Sequence, residues 1–304
     1  MDEPLVKGER VLVTGAGGFV GRAVSTRLKA AGYKVRGVGR HQVGEIHRGT
    51  DWSDALKGCA AVVHLAARVH EMSPDARQDL EAYREVNLHG TSALVRQAGA
   101  ADVRRFVFMS TLKVLGESGV GLSPTSPPAP QESYSVSKVE AESAIRRLTT
   151  ADMDTVILRP PLVYGPGVKA NFDRLMRLVA TGYPLPFGAV RNERSLIFVD
   201  NLADAVCHAL TGPAGIYHPK DPADLSTPDL IRVLAAGMER PARLLPVPEG
   251  LLRTLAQLVG RRAEIDRLTG SFTSDGDAGG WIAPIPGGDG LAATARAFLA
   301  ARAG

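Results

Sequence analysis

The sequence predicts an α/β protein, a doubly wound parallel sheet carrying a smaller C-terminal lobe, on three observations. Short apolar runs alternate with stretches of helical spacing through the first half. The first run enters a glycine-rich turn, V-T-G-A-G-G-F-V-G from Val13 to Gly21, that opens a helix. After Arg159 the pattern gives way to proline- and glycine-rich loops and short helices.

The elements follow in order. Val11 to Thr14 is the first strand, and Phe19 to Ala31 has helical spacing (Val20, Val24, Leu28) that stops at Gly32. Lys34 to Val38 and Ala61 to Leu65 read as strands, the second fully buried. A long helix is expected from Asp79 to Ala100, then a strand from Arg105 to Met109. A helix from Tyr134 to Leu148 and a strand from Thr155 to Leu158 complete the alternation, which implies parallel pairing with right-handed crossovers. Loops are expected at Ser123 to Pro130, Pro160 to Gly167 and Tyr183 to Gly188, where substrate contacts commonly sit. The last third shows helices at Thr227 to Met238, Gly250 to Val259 and Asp289 to Ala301, with little strand signal. Residues 1–165 are therefore expected to form the sheet domain, with about 195–220 packing back on it, and 166–304 mainly a substrate-binding lobe.

Composition narrows the function classes. The chain has 304 residues, 44% of them hydrophobic, enough for a sizeable core. Its net charge of +4 comes from basic residues scattered as singles and pairs, which argues against a nucleic-acid partner. Cys59 and Cys207 lie far apart without metal-ligand spacing, as in a reducing compartment. No signal peptide or apolar run of about 18 residues is present, so a cytoplasmic protein without a membrane partner is expected.

The glycine turn carries the first chemical signal. A dinucleotide pyrophosphate needs backbone N–H groups and a helix N-terminus at close range, and only glycine leaves the room. Gly15, Gly18 and Gly21, with Phe19 and Val20 at the helix start, follow a strand as the Rossmann-type fingerprint requires. An acid at the end of the second strand would bind the ribose 2′-hydroxyl of NAD(H). Here Gly39 stands there with Arg40 after it, favouring NADP(H) over NAD(H). Asp51, with Trp52 beside it, is placed to meet the adenine amino group or to cap the helix that follows.

The second signal is S-Y-S-V-S-K. Four residues along a helix put Lys138 on the face of Tyr134, where an ammonium would favour the phenolate and also reach the nicotinamide ribose. Thr111, with Ser110 before it, ends the preceding strand and is placed to hold the substrate oxygen. This set suits hydride and proton exchange at an alcohol or ketone.

These motifs, with V-V-H-L-A-A (Val62–Ala67), N-L-H-G-T (Asn87–Thr91), S-T-L-K-V-L-G (Ser110–Gly116), L-R-P-P-L-V-Y-G-P-G from Leu158 and R-S-L-I-F-V-D-N-L-A-D-A from Arg194, closely resemble the extended short-chain dehydrogenase/reductases, the nucleotide-sugar epimerase and dehydratase family. The resemblance covers roughly residues 10 to 235. It implies that Leu65, Ala66 and Ala67 line the cofactor, that Asn87 supports it and that the backbone at Pro161 approaches the nicotinamide. It further implies that Thr111, Tyr134 and Lys138 are catalytic, that Ser110 adjoins substrate, that Asn171 and Arg194 contact a nucleotide-sugar pyrophosphate, and that the chain is a homodimer.

Departures sharpen the expectation. The family's dehydratases carry an Asp-Glu pair after the catalytic Thr, where this chain has Leu112 and Lys113. Neither cysteine lies where a C3/C5 epimerising reductase would need one. The C-terminal base-recognition stretch appears shortened as S-D-G-D-A-G-G-W, Ser274 to Trp281. Within the family, V-H-L-A-A-R-V-H and G-P-G-V-K-A-N-F resemble UDP-glucose 4-epimerase-like proteins, some of which reduce 4-keto-6-deoxy UDP-sugars for surface polysaccharide. The leading expectation is a 4-ketoreductase of a UDP-hexose; the alternative is a UDP-hexose 4-epimerase (UDP-glucose or UDP-N-acetylglucosamine). A non-catalytic dinucleotide-binding sensor is a third reading, against which stands the retention of both Tyr134 and Lys138.

Overall fold

The computed structural model describes residues 5–69, 78–258, 260 and 262–303. The chain begins with β1 (Arg10–Thr14), α1 (Phe19–Ala30), β2 (Lys34–Val38), the single turns α2 (Arg40–Val43) and α3 (Ser53–Leu56), and β3 (Ala61–His64). Next come α4 (Leu80–Arg84), a π-helical turn at Glu85–Gly90, α5 (Thr91–Ala100) and β4 (Arg105–Met109). A 3₁₀ turn at Leu112–Leu115, β5 (Gly119–Leu122), α6 (Ser133–Leu148) and β6 (Asp154–Leu158) follow.

β2, β1, β3, β4 and β6 pair in that order, all parallel, and β9 (Gly215–Tyr217) adds a sixth strand beside β6. Alternate residues leave opposite faces of each strand, so the sheet has two apolar layers. Leu12, Val62, Phe106, Phe108 and Ile157 pack with Trp52, Leu94 and Ile145 on one side. Val11, Val13, Val63, Val107 and Val156 pack with Val24, Leu28, Ala203 and Val206 on the other. Full burial of a side chain such as Phe106 or Leu12 is worth about 1.5–3 kcal/mol, which is what holds the helices to the sheet.

Between β6 and β9 run β7 (Leu162–Tyr164), α7 (Ala170–Ala180), β8 (Leu196–Phe198) and α8 (Val199–His208). After β9 come α9 (Thr227–Gly237), α10 (Glu249–Leu258), α11 (Arg262–Thr269), β10 (Phe272–Ser274) and α12 (Gly287–Ala303). β7 pairs with β8, and β5 with β10, each in parallel. A third apolar cluster gathers Tyr164, Phe172, Met176, Phe198, Leu234 and Leu291. Asp221 ties this lobe together: it accepts from the Tyr164 hydroxyl at 2.6 Å, the Asn201 amide at 2.8 Å and the Phe198 N–H at 3.1 Å. α8 joins α1 through the Arg27–Asp204 ion pair at 2.6 Å, and Trp281 Nε1 donates to the same carboxylate at 2.9 Å.

Three expectations need correction. The helix expected from Asp79 to Ala100 is interrupted by the π-helical turn, whose Gly90 is so close to Ile46 that a Cβ would lie 2.3 Å from Ile46 Cγ2. The C-terminal third holds short strands the sequence did not signal, because three-residue strands give no period to read. α7 and α8 were not anticipated either.

Candidate active site

The glycine turn is built by close approach. Gly15 has φ +69°, and a Cβ there would lie 2.9 Å from the Ala66 nitrogen. At Gly21 a Cβ would lie 2.1 Å from the Gly15 carbonyl oxygen, so α1 packs directly on the turn. The Gly18 N–H donates to that carbonyl at 2.9 Å. α1 then begins at Phe19 with no side chain capping its first N–H groups and no acid in its first turn. This cradle fits a dinucleotide pyrophosphate: free N–H donors, the positive end of a helix dipole and no side-chain bulk. Phe19 and Val20 are half-buried and pack against the C-terminal lobe.

A buried triad fastens the far side of the cradle. Thr14 Oγ1 accepts from the Ala66 N–H at 3.2 Å and shares a hydrogen bond with His64 Nδ1 at 2.7 Å. His64 Nε2 shares a second hydrogen bond with Thr91 Oγ1 at 2.9 Å, so both ring nitrogens have a hydroxyl partner. Burial, reinforced by Lys138, pushes the imidazole down to about 3, so it stays neutral through the physiological range. Leu65, Ala66 and Ala67 follow β3 and are half-buried against this arrangement. Sequence reading assigned nothing to Thr14 or His64; a polar pair inside two fully buried strands was the available signal.

At the end of β2, Gly39 precedes α2, whose Arg40 is exposed and pairs with an equally exposed Glu45 at 3.3 Å. Asp51 accepts from the Ser53 N–H at 2.9 Å and so caps the turn that follows. The Trp52 indole is fully buried in the core, which leaves its backbone as the part that can meet a ligand. Asn87 is buried in the π-helical turn. Its oxygen accepts from the Arg68 N–H at 2.9 Å, and its amide donates to the Arg68 carbonyl at 3.0 Å and to Ser137 Oγ at 2.9 Å. Ser137 in turn donates to the Tyr134 carbonyl at 2.7 Å. Asn87 therefore positions the segment after β3 and the tyrosine helix together.

Tyr134 lies in the first turn of α6, half-buried, its ring edge-on to Tyr83 at 6.3 Å between centroids. Burial and the neighbouring Tyr83 raise its phenol above the ordinary value. Lys138, one turn along, is fully buried with Nζ 3.8 Å from the centre of the Phe108 ring. Its ammonium is pushed down to about 7 by burial, against a raising effect of Glu142. Burial thus acts on both groups of the pair, raising the phenol and lowering the amine.

Ser110, which was expected to adjoin substrate, bonds a carboxylate from α6. It is buried and donates to Glu142 Oε1 at 2.5 Å. Arg159 grips the same carboxylate with Nε at 3.0 Å and Nη2 at 2.6 Å, and both residues are buried. This Ser110–Glu142–Arg159 cluster joins β4, α6 and β6 directly beneath Thr111, and no motif drew attention to it. Thr111 itself caps the 3₁₀ turn, accepting from the Lys113 N–H at 3.3 Å, while the Leu112 N–H donates to the Pro160 carbonyl at 2.9 Å. That bond sets Thr111 beside the Pro160–Pro161 step. Lys113 Nζ pairs with Glu132 at 2.8 Å and Glu117 at 3.1 Å.

The C-terminal lobe supplies the remaining two expected residues. Asn171 is exposed at the start of α7, directly after Ala170, whose φ is +59°. Arg194 is half-buried, and its Nη1 donates to the carbonyls of Arg267 and Gly270.

A parallel sheet with a glycine cradle at its first crossover and a Tyr–Lys pair on a crossing helix defines a dinucleotide-dependent oxidoreductase-type enzyme. Residues 11–221 match the model of the NAD dependent epimerase/dehydratase family, and the chain belongs to that family. It is 38% identical over 96% of its length, and 96% of the relative's, to a Vibrio cholerae protein named UDP-glucose 4-epimerase. It is 26% identical, over 80% of this chain and 77% of the relative, to an Escherichia coli O157:H7 protein named N-acetyl-alpha-D-glucosaminyl-diphospho-ditrans,octacis-undecaprenol 4-epimerase. Among solved structures, MoeE5 in complex with UDP-glucose and NAD superposes with a TM-score of 0.76 at 24% identity, covering 97% of this chain and all of that one. The fold is thus that of the extended short-chain dehydrogenase/reductases, and the protein is an enzyme with a nicotinamide dinucleotide cofactor.

Proposed function

We propose that the enzyme transfers hydride at C4 of a nucleotide-linked hexose, a UDP-sugar, and that it works as a 4-ketoreductase of a 4-keto-6-deoxy sugar for surface polysaccharide synthesis. The observation that carries the direction is the end of β2, where Gly39 and the exposed Arg40 stand in place of a ribose-binding acid. That end suits NADP(H), a cofactor consumed and exchanged at each turnover.

The dinucleotide, when bound, supplies hydride to C4. Tyr134 gives its phenolic proton to the oxygen at C4, which completes the conversion of ketone to alcohol. Thr111 donates a hydrogen bond to that oxygen, and Lys138, one helical turn from Tyr134, reaches the nicotinamide ribose. Arg194 and Asn171 face the substrate pyrophosphate from the lobe. Leu112 and Lys113 offer no acid for dehydration, and Lys113 is already paired with two glutamates. The chain is expected to act as a homodimer, with a doubled mass in light scattering as the check.

The 4-epimerase reading is favoured by the names of the Vibrio and Escherichia relatives. One experiment separates the two. Denaturing the purified protein should release no stoichiometric nucleotide, and the native protein should oxidise NADPH when given a 4-keto-6-deoxy UDP-N-acetylhexosamine. Release of bound NAD together with interconversion of UDP-hexoses would replace reduction by epimerisation. Inactivity on both substrate classes would overturn the assignment to UDP-sugars.

A further inference from the structure

Thr111 and Tyr134 stand on different elements, and Lys113 bonds to both of them. Lys113 lies in the 3₁₀ turn that Thr111 caps, and its backbone N–H donates to Thr111 Oγ1 at 3.3 Å. Its side chain leaves that turn, and Nζ donates to Glu132 Oε2 at 2.8 Å. Glu132 is the N-cap of α6, two residues before Tyr134. The Glu132 carbonyl accepts from Ser135 Oγ at 2.9 Å and from the Val136 N–H at 2.9 Å. The Glu132 N–H donates to Ser135 Oγ at 3.1 Å. Tyr134 is therefore bracketed by two residues that are bonded to each other.

We infer that Lys113 and Glu132 are positioning residues, an ionic bridge that fixes the Thr111 hydroxyl relative to the Tyr134 phenol. The inference rests on the roles proposed above for those two groups. Both hydroxyls must reach one substrate oxygen at hydrogen-bond distance, roughly 2.5–3.0 Å, so a small drift of one element against the other loses one of the two bonds. Leu112, Val114 and Leu115 form an apolar cluster against which Val139 of α6 packs, but apolar contact carries no direction. The ion pair adds a directed bond at the end of the helix where Tyr134 lies. Each partner has a second opposite charge: Glu117 lies 3.1 Å from Lys113 Nζ, and Arg267 of the lobe 3.6 Å from Glu132 Oε1. Lys113 thus spends its charge on two carboxylates, which disfavours a direct contact with substrate. The two side chains are 33% and 41% exposed, so the bridge adds little to global stability. Its contribution is to geometry.

Kinetics on whichever UDP-sugar class the parent protein turns over tests this. Lys113→Met and Glu132→Ala should each lower kcat about tenfold, the scale of a sub-ångström misplacement. KM for sugar and for dinucleotide should stay within about twofold, as when an interaction serves only the transition state. Urea midpoints should stay near the parent's. The double variant should lose no more than either single, because both remove the same bridge. Lys113→Arg, which can still meet the carboxylate, should keep the parental kcat. Losses that multiply in the double variant overturn the proposal, as do single variants with parental kcat or a Lys113→Arg variant as slow as Lys113→Met. A Lys113→Met variant that raises only KM also overturns it and gives Lys113 to the substrate. A parent inactive on both sugar classes removes the proposed function and leaves hydrogen exchange to decide the bridge. Exchange over residues 111–116 and 132–136 should quicken in Glu132→Ala while the last turns of α6 stay as in the parent, and an unchanged pattern overturns the bridge.

Discussion

The two halves of the candidate site are held in different ways. Around the glycine turn and the tyrosine helix, side chains are fixed by buried polar clusters that cross several elements: Thr14–His64–Thr91, Arg68–Asn87–Ser137 and Ser110–Glu142–Arg159. In the C-terminal lobe, Asn171 is exposed beside a residue in the left-handed region, and Arg194 is anchored through backbone carbonyls rather than a carboxylate. The difference teaches where rigidity is placed. Hydride and proton must meet within a few tenths of an ångström, so the half that handles them is preorganised. On the proposed function, the half that would meet the sugar nucleotide is held by fewer buried contacts.

The largest effect expected is kinetic. Tyr134→Phe removes the proton donor and should lower kcat by about 10²–10⁴ while cofactor affinity stays the same. Dinucleotide binding measured by fluorescence, beside steady-state turnover, checks it. A variant with parental kcat would remove Tyr134 from the chemistry. Glu142→Gln comes next and acts on stability. It leaves the buried Arg159 guanidinium facing a neutral amide, so unfolding free energy should fall by about 3–5 kcal/mol, read by urea denaturation. Arg194→Ala in the lobe should cost far less in stability but raise the KM for the nucleotide sugar about tenfold. If the two variants exchanged these phenotypes, the contrast between a rigid and an adjustable half would be wrong.

Buried titrating groups give the contrast a pH signature. Lys138 is pushed down to about 7 when folded, below the 10.5 of a free lysine. Between those values the unfolded chain binds more protons, so this group makes stability rise with pH from about 7 towards 10. His64, pushed down to about 3 from 6.5, makes stability rise over the window from about 3 to 6.5 in the same sense. Each window should show a slope on the order of 1 kcal/mol per pH unit. Lys138→Met should flatten the upper one in denaturation series of the cofactor-free protein, and a slope unchanged in that variant would place its origin elsewhere.

Much of this architecture is legible in the sequence because its signals are periodic or steric. β1, α1, β2, β3 and β4, and then α6 with β6, emerge from apolar runs and helical spacing, and the need for glycine at Gly15 and Gly21 follows from the strand–turn–helix context. What escapes is pairwise. That Ser110 donates to Glu142, that the Trp52 indole turns inward, and that the Tyr134 phenol is raised all depend on which side chains meet across elements far apart in sequence. The strands of the lobe escape for another reason, since three residues are too few to carry a pattern. α10 was legible as a helix, but which of its leucines face out is decided only by what packs against it.

The smallest effect concerns the adjustable half itself. Ala170 has φ +59° at the start of α7, a conformation that costs a residue with a Cβ about 1–2 kcal/mol relative to glycine. Glycine removes that strain but adds roughly 0.5–1 kcal/mol of unfolded-state entropy to be lost on folding. Ala170→Gly should therefore change global stability by no more than about 1 kcal/mol, in the stabilising direction. Its effect on function should run the other way, because the alanine restricts the segment that presents Asn171, and a glycine lets Asn171 sample more orientations. The KM for the nucleotide sugar should rise a few-fold with kcat and cofactor affinity unchanged. If Ala170→Gly lowered kcat instead, the segment would have to be positioning the reacting carbon, and the division between a rigid chemical half and an adjustable recognition half would fail at its boundary.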